Sequence, residues 1–226
     1  MSRQIAPALV SSAKDLVQYY VADASAVDPS NTDGFIERSI HSEIYKKYPA
    51  VQSVIHSHAE TVIPYGISGV PLQPCFHVAG FLGTSTPVFD ISKYYTSNDT
   101  HDMLVKDNRL GEALATYFSN SSTEAGSLDH NVVLMRSHGM TVIATNIEEC
   151  VLRSIYTQQN AAIQTTALTI RSTYSSSSLP EVRFLNAEEA NAAAKLSKSS
   201  PGRSPRPWEL WVKEVEQAGL YTNHAK

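Results

Sequence analysis

The sequence predicts an α/β fold: a three-layer α/β/α single domain built around a mainly antiparallel central sheet. Short β-branched runs alternate with segments in which apolar residues recur every four positions. The strand-like runs meet in hairpins rather than in regular βαβ units, which favours antiparallel pairing. We expect this domain to span residues 1–226, with a C-terminal extension from about residue 175.

The first half of the chain contains one strongly periodic segment. Residues 1–26 alternate short apolar runs with polar residues and predict no strong helix. Apolar residues at every fourth position then predict an amphipathic helix over 35–48, which Pro49 ends. The β-branched run 51–55 predicts a strand that ends at His56. We next expect a short helix over 59–67, extended chain over 70–76, a strand over 86–91 and a helix over 109–118.

The second half begins with the clearest buried strand, Asn-Val-Val-Leu-Met at 131–135. The turn Ser137-His138-Gly139 joins it to a second strand over 140–144, so the pair forms a hairpin with glycine at its tight position. Asn146, with Glu149 three residues later, predicts the start of a helix that runs to about residue 174. We expect a serine loop at 175–178, a helix over 187–196, a Ser/Pro/Arg linker at 197–207 and a helical tail over 208–220.

Composition narrows the classes of protein to which the chain could belong. The net charge of −4 and the scattered Lys and Arg residues argue against a nucleic-acid surface. No apolar run approaches the roughly 18 residues that span a bilayer, and residues 1–7 contain no apolar signal region. Cys75 and Cys150 form neither a CxxC pair nor a disulfide framework. We therefore expect a cytoplasmic protein that binds neither nucleic acid nor membrane.

Three histidines suggest a metal site. His56 and His58 follow a predicted strand, and His138 lies in the predicted hairpin turn. Residues i and i+2 of an extended segment project to the same side, so His56 and His58 can face one ion. Three neutral imidazoles leave a fourth position for water or substrate, which is typical of catalytic zinc. The spacing alone is equally compatible with histidines that only face solvent or make hydrogen bonds.

A wider pattern surrounds these histidines, and it combines a glutamate, an HxH pair and an HG dipeptide in that order. Its segments are Ile36-Glu37-Arg38-Ser39-Ile40-His41, Ser53-Val54-Ile55-His56-Ser57-His58, Leu134-Met135-Arg136-Ser137-His138-Gly139 and Arg153-Ser154-Ile155-Tyr156. The pattern covers roughly residues 34–170 and resembles the class II aldolase/adducin family. The resemblance implies that His56, His58 and His138 hold one divalent ion, zinc in the first place and manganese as the alternative. It also implies that Glu37 is the acid/base group beside the metal, whereas the residue pattern alone favours an exposed glutamate in the first turn of a helix.

Two features depart from the family pattern. Members that act on sugar phosphates hold the phosphate with loops upstream of the glutamate, but residues 1–7 and 28–34 show no such cradle. The chain also begins later than typical members, so we expect a fold shortened at its N-terminus. Near the point where the aldolases use a tyrosine for proton transfer, this chain has His77. His77 is therefore either catalytic or a hydrogen-bonded histidine at a strand end.

The remaining resemblance bears on the reaction and the substrate. Residues 62–66, 86–89 and 102–105 are similar to a branch that decarboxylates aromatic or pyridine dicarboxylic acids, as is the dipeptide Ser2-Arg3. Arg3 would bind a substrate carboxylate through its guanidinium, with Ser2 beside it, although a residue so near the terminus is equally compatible with disorder.

The expected function is that of a divalent-metal-dependent carbon–carbon lyase that decarboxylates a non-phosphorylated aromatic or keto acid. Its partner is then a small-molecule substrate. The alternatives are an aldolase or epimerase acting on a sugar or sugar phosphate, and a non-catalytic adducin-like binding domain. The resemblance also implies a homo-oligomer, since family members are commonly tetramers.

Overall fold

The computed structural model of the chain describes residues 1–2, 5–31, 34–120, 127–174, 180–196 and 206–221. The α-helices are α1 (Arg38–Lys47), α2 (Ile63–Ile67), α3 (Asn108–Ala115), α4 (Ile147–Thr173), α5 (Ala187–Leu196) and α6 (Arg206–Ala218). The strands are β1 (Ser53–Ser57), β2 (Val88–Phe89), β3 (Val132–Met135) and β4 (Gly139–Ala144). Short 3-10 helices occupy Pro7–Leu9, Ala13–Asp15, His77–Leu82, Ile91–Tyr94 and Thr116–Phe118.

The four strands form one sheet in the order β1-β4-β3-β2. Strand β4 pairs antiparallel with both β1 and β3, whereas β2 pairs parallel with β3. The prediction of a mainly antiparallel sheet is confirmed, with one parallel edge strand. That edge strand is shorter than the predicted 86–91, because the Asp90 side chain accepts the N–H of Ser92 and begins a 3-10 helix.

Both faces of the sheet are covered by helices, which confirms the three-layer prediction. Successive residues of β3 point to opposite faces, as the pleat of a strand requires. Val133 and Met135 pack in a first core with α1 and α3, whose buried members include Ile40, Ile44, Leu110 and Leu114. Val132 and Leu134 pack in a second core with α2 and α4, whose buried members include Val62, Tyr65, Cys150 and Ala161. The continuous apolar run of β3 follows from burial on both sides.

Helix α1 begins directly after Glu37, the glutamate of the sequence pattern. The backbones of α1 and α3 approach each other closely. A Cβ atom at Gly111 would lie 2.5 Å from the carbonyl oxygen of Ser39, so only glycine permits this crossing. Helix α4 begins as predicted, with the Asn146 side chain accepting the N–H of Glu149 at 2.8 Å. The helix predicted over 59–67 forms only at Ile63–Ile67.

The N-terminal segment contains no α-helix among its described residues, as expected. Isolated bridges pair Ser2 with Leu16 and Tyr19 with Ala26. The segment is attached to α1 through Arg38, whose Nε donates to the Ala24 carbonyl at 2.9 Å. A cavity of about 750 Å³ lies between the segment and α1.

The C-terminal helices pack on the second layer. Helix α5 lies on the 3-10 helix His77–Leu82, and α6 contacts α4 through Trp211 and Tyr156, whose ring centroids are 5.9 Å apart. The predicted serine loop and linker positions 197–205 lie outside the described residues. Within the part of the chain that the structure describes, no helix has both the length and the apolar character needed to cross a membrane. The division into a domain and an extension from about residue 175 stays a prediction.

Candidate metal centre

Glu37, His56, His58 and His138 converge from three separate parts of the chain, and their ligand atoms all lie within 4.8 Å of one another. The Nε2 atom of His58 is 3.0 Å from Nε2 of His56 and 2.9 Å from Nε2 of His138. The Oε2 atom of Glu37 lies 3.3, 3.9 and 3.4 Å from Nε2 of His56, His58 and His138. A tetrahedral zinc ion with bonds of about 2.0–2.1 Å separates its ligand atoms by about 3.4 Å. The four donor atoms therefore fit a single divalent ion.

Strand β1 aims the first two histidines. His56 lies within the strand opposite Thr141, and His58 follows one residue after the strand ends. Their Nε2 atoms meet on one side, as the i, i+2 spacing predicts. The Nδ1 atom of His56 lies 3.2 Å from the Met140 carbonyl oxygen, which can only accept a hydrogen bond. A proton on Nδ1 satisfies that carbonyl, so Nε2 is the nitrogen that would bind a metal once it has lost its own proton.

The third histidine comes from the β3–β4 hairpin. The turn needs two residues with positive φ, Ser137 at 57° and Gly139 at 152°. A Cβ atom on Gly139 would lie 2.1 Å from the Ser57 carbonyl oxygen and 2.9 Å from the Cα of His58. Glycine therefore lets the hairpin approach the end of β1 closely enough for His138 to join the pair. The Nδ1 atom of His138 is buried and finds no hydrogen-bond acceptor among the described residues.

Glu37 stands at the N-cap of α1, but its side chain does not cap the helix. Oε2 faces the three imidazoles, while Oε1 accepts the N–H of Val105 at 3.0 Å. Burial raises the pKa of this carboxyl, but hydrogen bonds from His138 and His56, the charge of His56 and the Val105 N–H together hold it well below its usual range. Glu37 is thus an anionic, largely enclosed group, not the exposed first-turn residue that the pattern alone favoured.

With the described residues in place, His58 is the most exposed member of the group. The side chains of His138, His56 and Glu37 are 7%, 12% and 13% exposed, whereas that of His58 is 62% exposed. Burial and the neighbouring imidazoles lower the pKa of His58, which favours the neutral form that a metal ligand needs. A small molecule would reach the centre past His58.

The other predicted site residues are not members of this group. His77 is exposed at the start of the 3-10 helix His77–Leu82, with its ring centroid 6.4 Å from that of Phe76. Ser2 forms a bridge with Leu16, and Arg3 lies outside the described residues. The catalytic role of His77 and the substrate contacts of Ser2 and Arg3 stay predictions.

Sequence reasoning missed three groups that border the centre. His41 lies one helical turn after Glu37, and its pKa falls to about 4 because of burial, the charge of His56 and the chain's amino terminus. The spacing of four from Glu37 on a helix could have indicated it. The Val105 N–H and the Met140 carbonyl are main-chain groups, which no residue type in the sequence marks.

Known proteins resemble this chain in sequence and in fold. The sequence model described as "Class II Aldolase and Adducin N-terminal domain" matches residues 9–165. Decarboxylase tropJ of Talaromyces stipitatus is 49% identical over 227 residues, which span 100% of this chain and 84% of the relative. The 3,4-dihydroxyphthalate decarboxylase of Arthrobacter keyseri is 24% identical over 53% of this chain and 42% of that enzyme.

A solved structure supports the fold independently. The aldolase II superfamily protein from Pseudomonas syringae superimposes with a TM-score of 0.63 at 20% identity, over 93% of this chain and 74% of that one. The relatives also confirm the prediction that the chain is an enzyme of the lyase class. The chain belongs to the class II aldolase and adducin family.

Proposed function

We propose that this enzyme is a divalent-metal-dependent decarboxylase of a non-phosphorylated aromatic or keto acid. The single observation that carries the proposal is the convergence of three imidazole nitrogens and the Glu37 carboxylate, in a chain that is 49% identical to a decarboxylase along its whole length. The Arthrobacter enzyme is named for an aromatic dicarboxylic acid, which supports the substrate class.

We assign the ligands to His56, His58 and His138 and expect zinc, with manganese as the alternative. Three nitrogen donors suit zinc better than a hard, oxygen-preferring cation. An ion in this position would draw electron density from a chelating acid and stabilise the charge that remains when CO2 departs.

The proton chemistry falls to Glu37. Glu37 is a carboxylate before the reaction, so it can first accept a proton, for example from a hydroxyl beside the departing carboxylate. When the carbon–carboxylate bond breaks, its electron pair stays on carbon and Glu37 returns the proton there. The Val105 N–H holds Oε1, so Oε2 is the oxygen that carries the proton.

Three further residues are candidates for contacts with the substrate. Arg3 would pair with a second carboxylate and Ser2 would donate beside it, while His77 is the candidate for a further proton donor. We also propose a homotetramer and retain the cytoplasmic location as a prediction. The proposed reaction depends on neither the oligomeric state nor the location.

The test is CO2 release by the purified, metal-loaded protein from a panel of hydroxybenzoic, phthalic and β-keto acids. We expect release from at least one of them and a loss of about 100-fold or more in kcat for Glu37→Gln. Glu112→Gln, which alters an exposed glutamate on α3, should stay within about twofold of the unaltered enzyme. Activity that survives Glu37→Gln would remove Glu37 from the mechanism.

Two alternatives have their own outcomes in the same assay. Cleavage or epimerisation of a sugar or sugar phosphate, without CO2 release from any acid, would identify an aldolase or epimerase. A protein that binds no stoichiometric metal and turns over none of these compounds would match an adducin-like binding domain.

A further inference from the structure

The loop between the 3-10 helix Ile91–Tyr94 and α3 contacts the carboxylate of Glu37. Its contact is the Val105 N–H, which donates to Oε1 at 3.0 Å. The Val105 side chain is completely buried in the first core. The direction in which Oε2 points therefore depends on where this loop places one amide group.

Two residues before Val105, the loop passes through a conformation that needs support. Met103 has a φ of 69°, in the left-handed region that side chains other than glycine rarely adopt. The Tyr95 hydroxyl accepts the N–H of Met103 at 2.9 Å and donates to its sulfur at 3.8 Å. One phenol thus binds both the main chain and the side chain of the residue at which the loop turns.

The phenol is itself held in place. The Tyr95 ring is stacked on that of His101, with centroids 4.3 Å apart and planes 8° from parallel. The Arg136 guanidinium also approaches the Met103 sulfur, at 4.0 Å, and forms an ion pair with Asp90 at 2.6 Å. These contacts keep the Tyr95 hydroxyl directed at Met103.

The stretch between Met103 and Val105 is also short and braced. The Asp102 carboxylate accepts the N–H of Leu104 at 3.1 Å and pairs with the Lys106 ammonium at 2.9 Å. Because only Leu104 separates Met103 from Val105, a displacement of Met103 would also displace the Val105 amide.

We propose that Tyr95 is a positioning residue for the acid/base carboxylate. By binding Met103 it holds the Val105 N–H on Oε1 of Glu37 and keeps Oε2 directed at the three histidines. This inference rests on the proposed function, because that function assigns proton transfer to Glu37. Tyr95 acts through Met103 and Val105, so its loss should lower kcat and leave KM nearly unchanged.

The test compares Tyr95→Phe with Tyr94→Phe in the full-length protein. The neighbouring Tyr94 is a matched control, since its hydroxyl donates to the Tyr117 hydroxyl at 3.3 Å instead. Three readouts are used: the kinetic constants kcat and KM for CO2 release, hydrogen exchange of the Val105 amide, and the visible spectrum of the cobalt(II)-substituted protein.

For Tyr95→Phe we expect kcat about tenfold lower with KM within about twofold, as for a misplaced catalytic group. The Val105 amide should exchange about fivefold faster, which corresponds to the loss of one hydrogen bond. The cobalt spectrum should shift in the direction that Glu37→Gln produces. Tyr94→Phe should leave the kinetic constants, the Val105 exchange and the cobalt spectrum unchanged.

Unchanged Val105 exchange together with an unchanged cobalt spectrum in Tyr95→Phe would overturn the inference, whatever happens to activity. A rise in KM at constant kcat would also overturn it, because that result makes Tyr95 a substrate contact. If the unaltered enzyme decarboxylates none of the acids, the proposed function fails, and the exchange and cobalt measurements still decide whether Tyr95 positions Glu37.

Discussion

At the scale of single residues, His41 shows how burial near the centre changes a titratable group. It lies on α1 four residues after Glu37 and lines the cavity beneath the N-terminal segment. Its pKa of about 4 is below the ordinary value of 6.5. Between these two values the unfolded chain binds a proton that the folded chain does not. The contribution of His41 to stability is therefore complete above pH 6.5 and is lost as the pH falls towards 4.

We predict that this single group accounts for about 2 kcal/mol of the stability lost between pH 7 and pH 5. The comparison is between the unaltered protein and His41→Gln, both metal-free, by urea unfolding at several pH values. The fall in unfolding free energy should be smaller in the variant by that amount. Equal pH slopes for the two proteins would show that His41 keeps its ordinary pKa in the folded state.

At the scale of elements, the strongly patterned parts of the chain were the predictable ones. The periodicity over 35–48 predicted α1, and the apolar run at 131–135 predicted β3. Both were predictable because buried positions are occupied by apolar residues. The predicted strand over 86–91 was too long, since the side-chain cap at Asp90 outweighs the β-branched run. The helix predicted over 59–67 was also too long, because its first half forms a turn in which the Val62 N–H donates to the Ala59 carbonyl. Local hydrogen bonds of this kind are hard to read from hydrophobic pattern.

A substitution in the β3–β4 hairpin tests how closely the hairpin must approach β1. In Gly139→Ala the added methyl would meet the Ser57 carbonyl oxygen at 2.1 Å, and the hairpin must move away from β1. We expect a stability loss of about 3 kcal/mol and much weaker zinc binding, because His138 moves with the hairpin.

Gly83→Ala is the matched control for that substitution. Gly83 also has a positive φ, 69°, but a Cβ atom there would meet nothing within 4 Å. It should cost about 2 kcal/mol, because a φ of 69° with a ψ of −156° is a backbone conformation that residues other than glycine rarely adopt, and zinc affinity should not change. Urea unfolding and calorimetric zinc titration measure both effects. Equal losses in the two variants would mean that crowding against β1 is not what makes Gly139 necessary.

At the scale of the whole molecule, the centre is assembled from segments that are far apart in sequence. The HxH spacing and the predicted hairpin turn indicated that His56, His58 and His138 could share one ion, and the family resemblance added Glu37 beside it. Sequence could not place the Val105 amide or the Met140 carbonyl, which fix the carboxylate and the His56 tautomer. Such main-chain contacts arise only when distant elements pack together.

The most direct test of the central claim is the zinc content of the protein after chelation, reloading and desalting. We predict one zinc ion per chain in the unaltered protein. His58→Ala and His138→Ala should bind zinc more than about 100-fold more weakly, since even losing a group that only orients a ligand costs about 10- to 100-fold. His130→Ala, a half-buried histidine outside the group of four, should bind normally. Only trace zinc in the unaltered protein, or full zinc in His138→Ala, would contradict the assignment of His56, His58 and His138 as the metal ligands.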